Sequence, residues 1–207
     1  MRNRIKIQSL FFRIIALQLL LLFGMANFAH AQDVKKETET TTKLEAFFSK
    51  PGVIIKTVDY KLATLPTMTI TSNAETRIRV LKTESGDVYF YLIKIVGKNG
   101  SMTAAIEYSD LLNVINALKT LKAEEKADVT SKPDYLENKY VTSDGFKVGY
   151  IIKNGWYEKG TSTWYLSQGS LCDLGEGMVL RSVEDFEHAI EEAKQKIEEL
   201  KTITGKE

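Results

Sequence analysis

The chain has 207 residues, with 28 lysines and arginines against 27 aspartates and glutamates and a net charge of +1. That balance excludes the basic footprint by which proteins hold nucleic acid or an anionic membrane surface. A single cysteine excludes an internal disulfide, and with two histidines it is too little for a familiar zinc site.

The first 31 residues read as a secretory signal peptide. Arg2, Arg4, Lys6 and Arg13 precede an apolar run from Ile14 to Phe23, and Ala29-His30-Ala31 places small residues at a cleavage position. The run is shorter than the roughly 20 residues of a spanning helix. Cleavage after Ala31 is therefore expected, with export to the periplasm or the medium of a bacterial cell and no membrane span in the mature chain. Loss of four basic and no acidic residues takes the net charge from +1 to −3. Residues 32–42, QDVKKETETTT, hold nothing apolar to bury except Val34 and are expected to form a flexible leader.

From residue 43 a short helix is expected, with Leu44, Phe47 and Phe48 on one face and Pro51-Gly52 as its stop. A run of strands follows: 53–60, 67–71, 76–83, 88–96 and 102–108. Ser85-Gly86-Asp87 and Asn99-Gly100 mark turns between them. Leu111, Val114, Ile115, Leu118 and Leu121 then recur at helical spacing, with Ser109 or Asp110 as the expected cap. This helix is expected to fade in KAEEKADVTSKPD (122–134), where the boundary between two halves is placed.

The second half repeats the plan. Residues 139–143 lead into the Asp144-Gly145 turn, 146–153 form a strand, and Asn154-Gly155 signals another hairpin. WYEKG, STWYLSQ, SLCDL and GMVLR supply further short strands. A last helix begins at Ser182, which has Asp185 at capping-box spacing, and carries Phe186, Ala189, Ile190, Ala193, Ile197 and Leu200 as its stripe. The two halves align segment by segment: TRIRVLKT with FKVGYIIK at a shift of 70, GDVYFYL with GTSTWYL at 74, MTAAIEYSDL with GMVLRSVEDF at 75.

The expected fold class is thus α+β: two tandem β-meander-plus-helix repeats, residues 43–130 and 131–207, with antiparallel sheets and one long helix per repeat. Burial supplies the reason. In strand 88–96, Val88, Phe90, Leu92 and Val96 point one way and Tyr89, Tyr91, Ile93 and Ile95 the other. A sheet with one wet face alternates apolar with polar; here both faces need cover. One should meet the helix that follows, and the other should meet the N-terminal helix, the second repeat, a ligand, a partner protein or a second copy of the chain.

Chemistry is sparse. Once His30 has left with the signal peptide, His188 is the only histidine, and no Gly-x-Ser-x-Gly elbow accompanies it. Cys172 reads as a small buried residue. The acidic pairs Glu124-Glu125, Glu191-Glu192 and Glu198-Glu199 are interleaved with lysines and read as solvated helix faces. No phosphate loop or other cofactor motif is present. Trp156, Tyr157, Trp164 and Tyr165, with Tyr89 and Tyr91, are the candidate contact residues, because Trp and Tyr join a large apolar area to a polar tip. The expected function is a non-enzymatic exported module that binds a protein, peptide or glycan, with homodimerisation open. The alternative is a small-molecule or lipid carrier with a pocket between sheet and helices.

Overall fold

The structure, a computed structural model, describes residues 42–68, 73–97, 100–153, 160–169 and 177–204. The signal-peptide segment, leader residues 32–41, Trp156, Tyr157 and Cys172 lie outside the described residues, as do most of WYEKG and SLCDL.

Helix α1, Lys43–Phe48, starts at a reciprocal capping box: Glu45 N–H donates to the Thr42 hydroxyl (3.2 Å) and Thr42 N–H donates to the Glu45 carboxylate (2.9 Å). Strands β1 (Lys56–Lys61), β2 (Glu75–Thr83), β3 (Gly86–Gly97) and β4 (Gly100–Glu107) form an antiparallel meander in the order β1-β2-β3-β4. Helix α2 (Tyr108–Ser131) follows. Strands β5 (Tyr135–Val141), β6 (Phe146–Lys153), β7 (Ser162–Gln168) and β8 (Met178–Val179) form the second meander in the same order, and α3 (Val183–Thr204) follows that. The α+β plan with one long helix per repeat is therefore present. No helix among the described residues is long and apolar enough to cross a membrane.

The structure refines three details. Val53 and Ile54 precede β1 rather than belonging to it, because the turn through Pro51 and Gly52 (φ +74°) sets the strand's start back to Lys56. α2 does not fade at 122: it runs 24 residues to Ser131 and ends at Lys132, which has left-handed φ 51°. The Lys, Ala and Glu of its second half are good helix formers, and Pro133 disfavours the α region for the residue before it. The N-cap is Glu107, two residues before Ser109 and three before Asp110. Ser109 and Asp110 consequently sit inside the first turn, where Ser109 donates to Glu107 and Asp110 turns to Lys43.

Strand β3 shows how a sheet with two apolar faces is sheltered. Tyr89, Tyr91 and Ile93 enter a core shared by both halves, with Ile78 and Val80, the stripe Leu111 to Leu121 of α2, Phe186 to Leu200 of α3, and Phe146, Val148, Tyr150 and Ile152 of β6. Phe90 and Leu92, on the reverse face, form a second cluster with Leu81 and Ala105 under Leu44 and Phe47 of α1 and Ile55. The helices are not private to their repeats. α2 touches β3 and β4 of the first sheet and β5 and β6 of the second, and α3 packs on α2 and on β2. All described residues accordingly fall in one compact unit, Thr41–Glu207.

The repeats correspond strand for strand, with slips at the third and fourth strands. At the fourth, Tyr91 pairs with Ile106 and Leu166 with Met178, so Ile106 and Met178 are equivalent and the shift is 72, not 75. Val80 pairs with Tyr89 and Tyr150 with Trp164, so Tyr89 and Trp164 are equivalent and the shift at the third strand is 75, not 74. A one-residue slip swaps the faces of a strand. Hence Trp164, with Leu166, faces the shared core from β7, and Tyr165 is buried on the other face.

Candidate functional site

Four of the six candidate contact residues are described, and the fold buries all four: Tyr91 is 0% exposed, and Tyr89, Trp164 and Tyr165 are 6% exposed. Their aromatic area is used for packing, so they do not form a joint contact surface. Trp164 stacks at 4.9 Å, tilted by 55°, on Tyr150, a geometry aromatic pairs favour. Tyr165 lies on the opposite face of the second sheet, where its hydroxyl donates to Glu137. Burial pushes the Glu137 carboxyl up, but bonds from Lys139 and Tyr165 outweigh it and hold the group below the usual range. His188 is exposed on α3.

The carboxylates of the α2 tail are not all solvated. Glu125 accepts from the Ser162 hydroxyl and from the Trp164 indole N–H (2.8 Å), Asp128 accepts from the Tyr150 hydroxyl (2.6 Å), and Glu124 accepts from the Asn138 amide (2.8 Å). These bonds bind the tail of the first helix to the second sheet. Sequence spacing hides them, since their partners lie 14 to 39 positions away. In the last acidic pair of α3, Glu198 meets Lys194 (3.6 Å) and accepts from the Tyr108 hydroxyl (3.1 Å), and Glu199 meets Lys196 (2.9 Å).

An open groove lies where the last turns of α3 cross the inner face of the first sheet. Its volume is about 220 Å³, and Tyr60, Val80, Lys82, Tyr89, Lys196, Glu199, Leu200 and Ile203 line it. The register brings Tyr60, Val80 and Tyr89 together on neighbouring strands: Val58 pairs with Val80 and Val80 with Tyr89. Leu200 supplies the helix side, and Ile203, 55% exposed, is the wall left in water. Ammonium groups stand over the rings, with Lys196 Nζ 5.7 Å from the centre of Tyr60 and Lys201 Nζ 5.5 Å from that of Tyr89 and 3.4 Å from that of Tyr108. Desolvation lowers the Lys201 pKa, against the pull of Glu198 and Glu107. At the far end Lys82 faces Asp87 at 3.8 Å. Such a site offers aromatic faces, a short apolar floor and both signs of charge at its rim. Tyr60 and Ile203 were legible in principle: Tyr60 alternates with Val58 in a strand, and Ile203 extends the stripe of α3 three residues past Leu200.

A second polar cluster surrounds Lys43. Its Nζ lies 2.8 Å from Glu107 and 2.7 Å from Asp110, and its backbone N–H donates to Asp144 Oδ2 (3.1 Å). Burial pushes the Asp144 carboxyl up, with Asp110 and Glu107 adding to the shift and Lys43 opposing it.

The fold and these sites define an α+β protein of two meander-and-helix repeats around one core, with a small aromatic groove at its edge. Comparison with protein-family models, curated proteins and solved structures gives no significant match.

Proposed function

We propose that the chain is an exported, non-catalytic binding module that takes a side chain or sugar ring of a protein, peptide or glycan partner in the groove between β1–β3 and the end of α3. The observation that carries this reading is the groove itself: tyrosine rings and an exposed isoleucine under lysine ammonium groups form a surface suited to contact. The basic, apolar and Ala-x-Ala order of residues 1–31 supports export. The groove also lies between sheet and helix, where a carrier would hold its ligand. Its 220 Å³ falls below the roughly 300–1,000 Å³ of sites that enclose a small molecule, and that favours a protruding group of a larger partner.

Peptide and glycan arrays probed with the wild-type chain, Tyr60→Ala and Ile203→Asp test it. Ligands of the wild type should lose at least tenfold in affinity in both variants while thermal melting stays close to wild type. Equal binding by all three would remove the groove from the function. Stoichiometric uptake of a fatty acid or other small amphiphile, abolished by the same variants, would replace the module with the carrier.

A further inference from the structure

We propose that α1 is a detachable strap, and that the sheet face beneath it is a docking face for a partner's amphipathic helix bearing a lysine or arginine beside its apolar stripe. The covered face is well formed. Leu81 and Phe90 are 0% exposed and Leu92 is 2% exposed, and they make a cluster separate from the main core. The cover is slight. α1 has six residues, none of them fully buried, where an isolated helix needs about 12–15 residues to hold itself in water. Its hold on the body is two apolar side chains, Leu44 and Phe47, the ion pairs of the Lys43 cation, and one backbone hydrogen bond from Lys43 N–H to Asp144.

That cation identifies the occupant. Glu107 and Asp110 from the start of α2 and Asp144 from the β5–β6 turn converge on Lys43, and Ser143 donates to Asp110 as well. With Lys43 in place the notch already carries an excess of negative charge; without it, three carboxylates face one another. Only an occupant bringing a positive group can take the strap's place without leaving that repulsion. The strap therefore shows its replacement's pattern: a cation, an apolar residue next to it, and a second apolar residue three positions further on. This face lies on the opposite side of the first sheet from the groove, and the inference stands apart from the function proposed above.

Two measurements on the full chain test it. In hydrogen exchange of the wild type, the Ala46 and Ser49 amides of α1 should exchange at least tenfold faster than those of β6. Equal protection means that the strap does not open, and the proposal falls. In the second measurement, a fluorescent peptide with the sequence of residues 42–55 is titrated into wild type and into Lys43→Glu/Phe47→Ser, which frees the strap and leaves the face intact. The freed chain should bind the peptide at least tenfold more tightly than wild type, and a peptide with Lys43→Glu should bind at least tenfold more weakly than the parent. Equal binding of the two peptides overturns the charge argument. Global unfolding of the freed chain overturns the strap, since α1 would then be integral to the fold. A dimer that exchanges α1 between chains assigns the face to a second copy instead of a partner's helix.

Discussion

Tyr150 and Gly149 sit side by side on β6 and depend on opposite faces of it. The Tyr150 hydroxyl lies between Asp128 and Asn138, and its pKa is pushed up to about 12 by burial, with the bond to Asp128 adding. Burial likewise raises the Tyr91 and Tyr108 phenols. A phenol whose folded pKa exceeds its unfolded value of about 10 stabilises the fold fully below pH 10 and loses that contribution as the pH climbs toward 12. Phenolate absorbance should therefore show some of the nine tyrosines ionising only as the fold melts. Reversible titration of all nine near pH 10 would contradict the buried network. At Gly149 the constraint is space. A Cβ there would collide with the Asn138 carbonyl oxygen and the Lys139 backbone of β5. Gly149→Ala should cost about 1–3 kcal/mol, the usual range for overpacking. A chemical-denaturation midpoint equal to wild type would show that β5 yields freely.

Among the elements, β3 was the most readable from sequence and the tail of α2 the least. Strand alternation sends Tyr89, Tyr91 and Ile93 one way and Phe90 and Leu92 the other, and the pattern alone shows that both faces need cover. It also ranks α1 among the possible covers. Phe90→Ala should destabilise by about 3–5 kcal/mol, as for other buried phenylalanines; a loss under 1 kcal/mol would mean that the second cluster collapses around the gap. The tail of α2 looks like a linker because Lys, Glu and Ala dominate it. Its structural role depends on Ser162, Trp164, Tyr150 and Asn138, and no local pattern points to them. Glu125→Ala should redden Trp164 emission and cost about 1–3 kcal/mol by removing a charged acceptor; an unchanged spectrum would show the indole bond to be dispensable. The burial of the four described aromatic candidates was hidden for a related reason. Sequence identifies which residues share a face of a strand, but the layer lying over that face is decided by distant parts of the chain.

For the whole molecule, the repeat plan was legible because strand order and hairpin signals recur, and the sharing of helices between the sheets was not. α3 lies on a strand of the first sheet, and α2 touches both sheets. The halves should therefore melt together. Calorimetry should give one transition, and residues 131–207 expressed alone should lack a cooperative one. Two resolved transitions would show that the shared core is only an interface.

One connection has a consequence for the order of assembly. The segment between β1 and β2 passes to the other sheet: Thr67 bridges Leu180, and Met68 N–H donates to the Val179 carbonyl. Leu180 follows Thr67 by 113 positions, so at roughly 5–20 residues per second a ribosome needs some 6 to 23 s to deliver the partner. During that interval the early part of the nascent chain waits with an open seam, and the last short strand to emerge acts as the keystone that closes it.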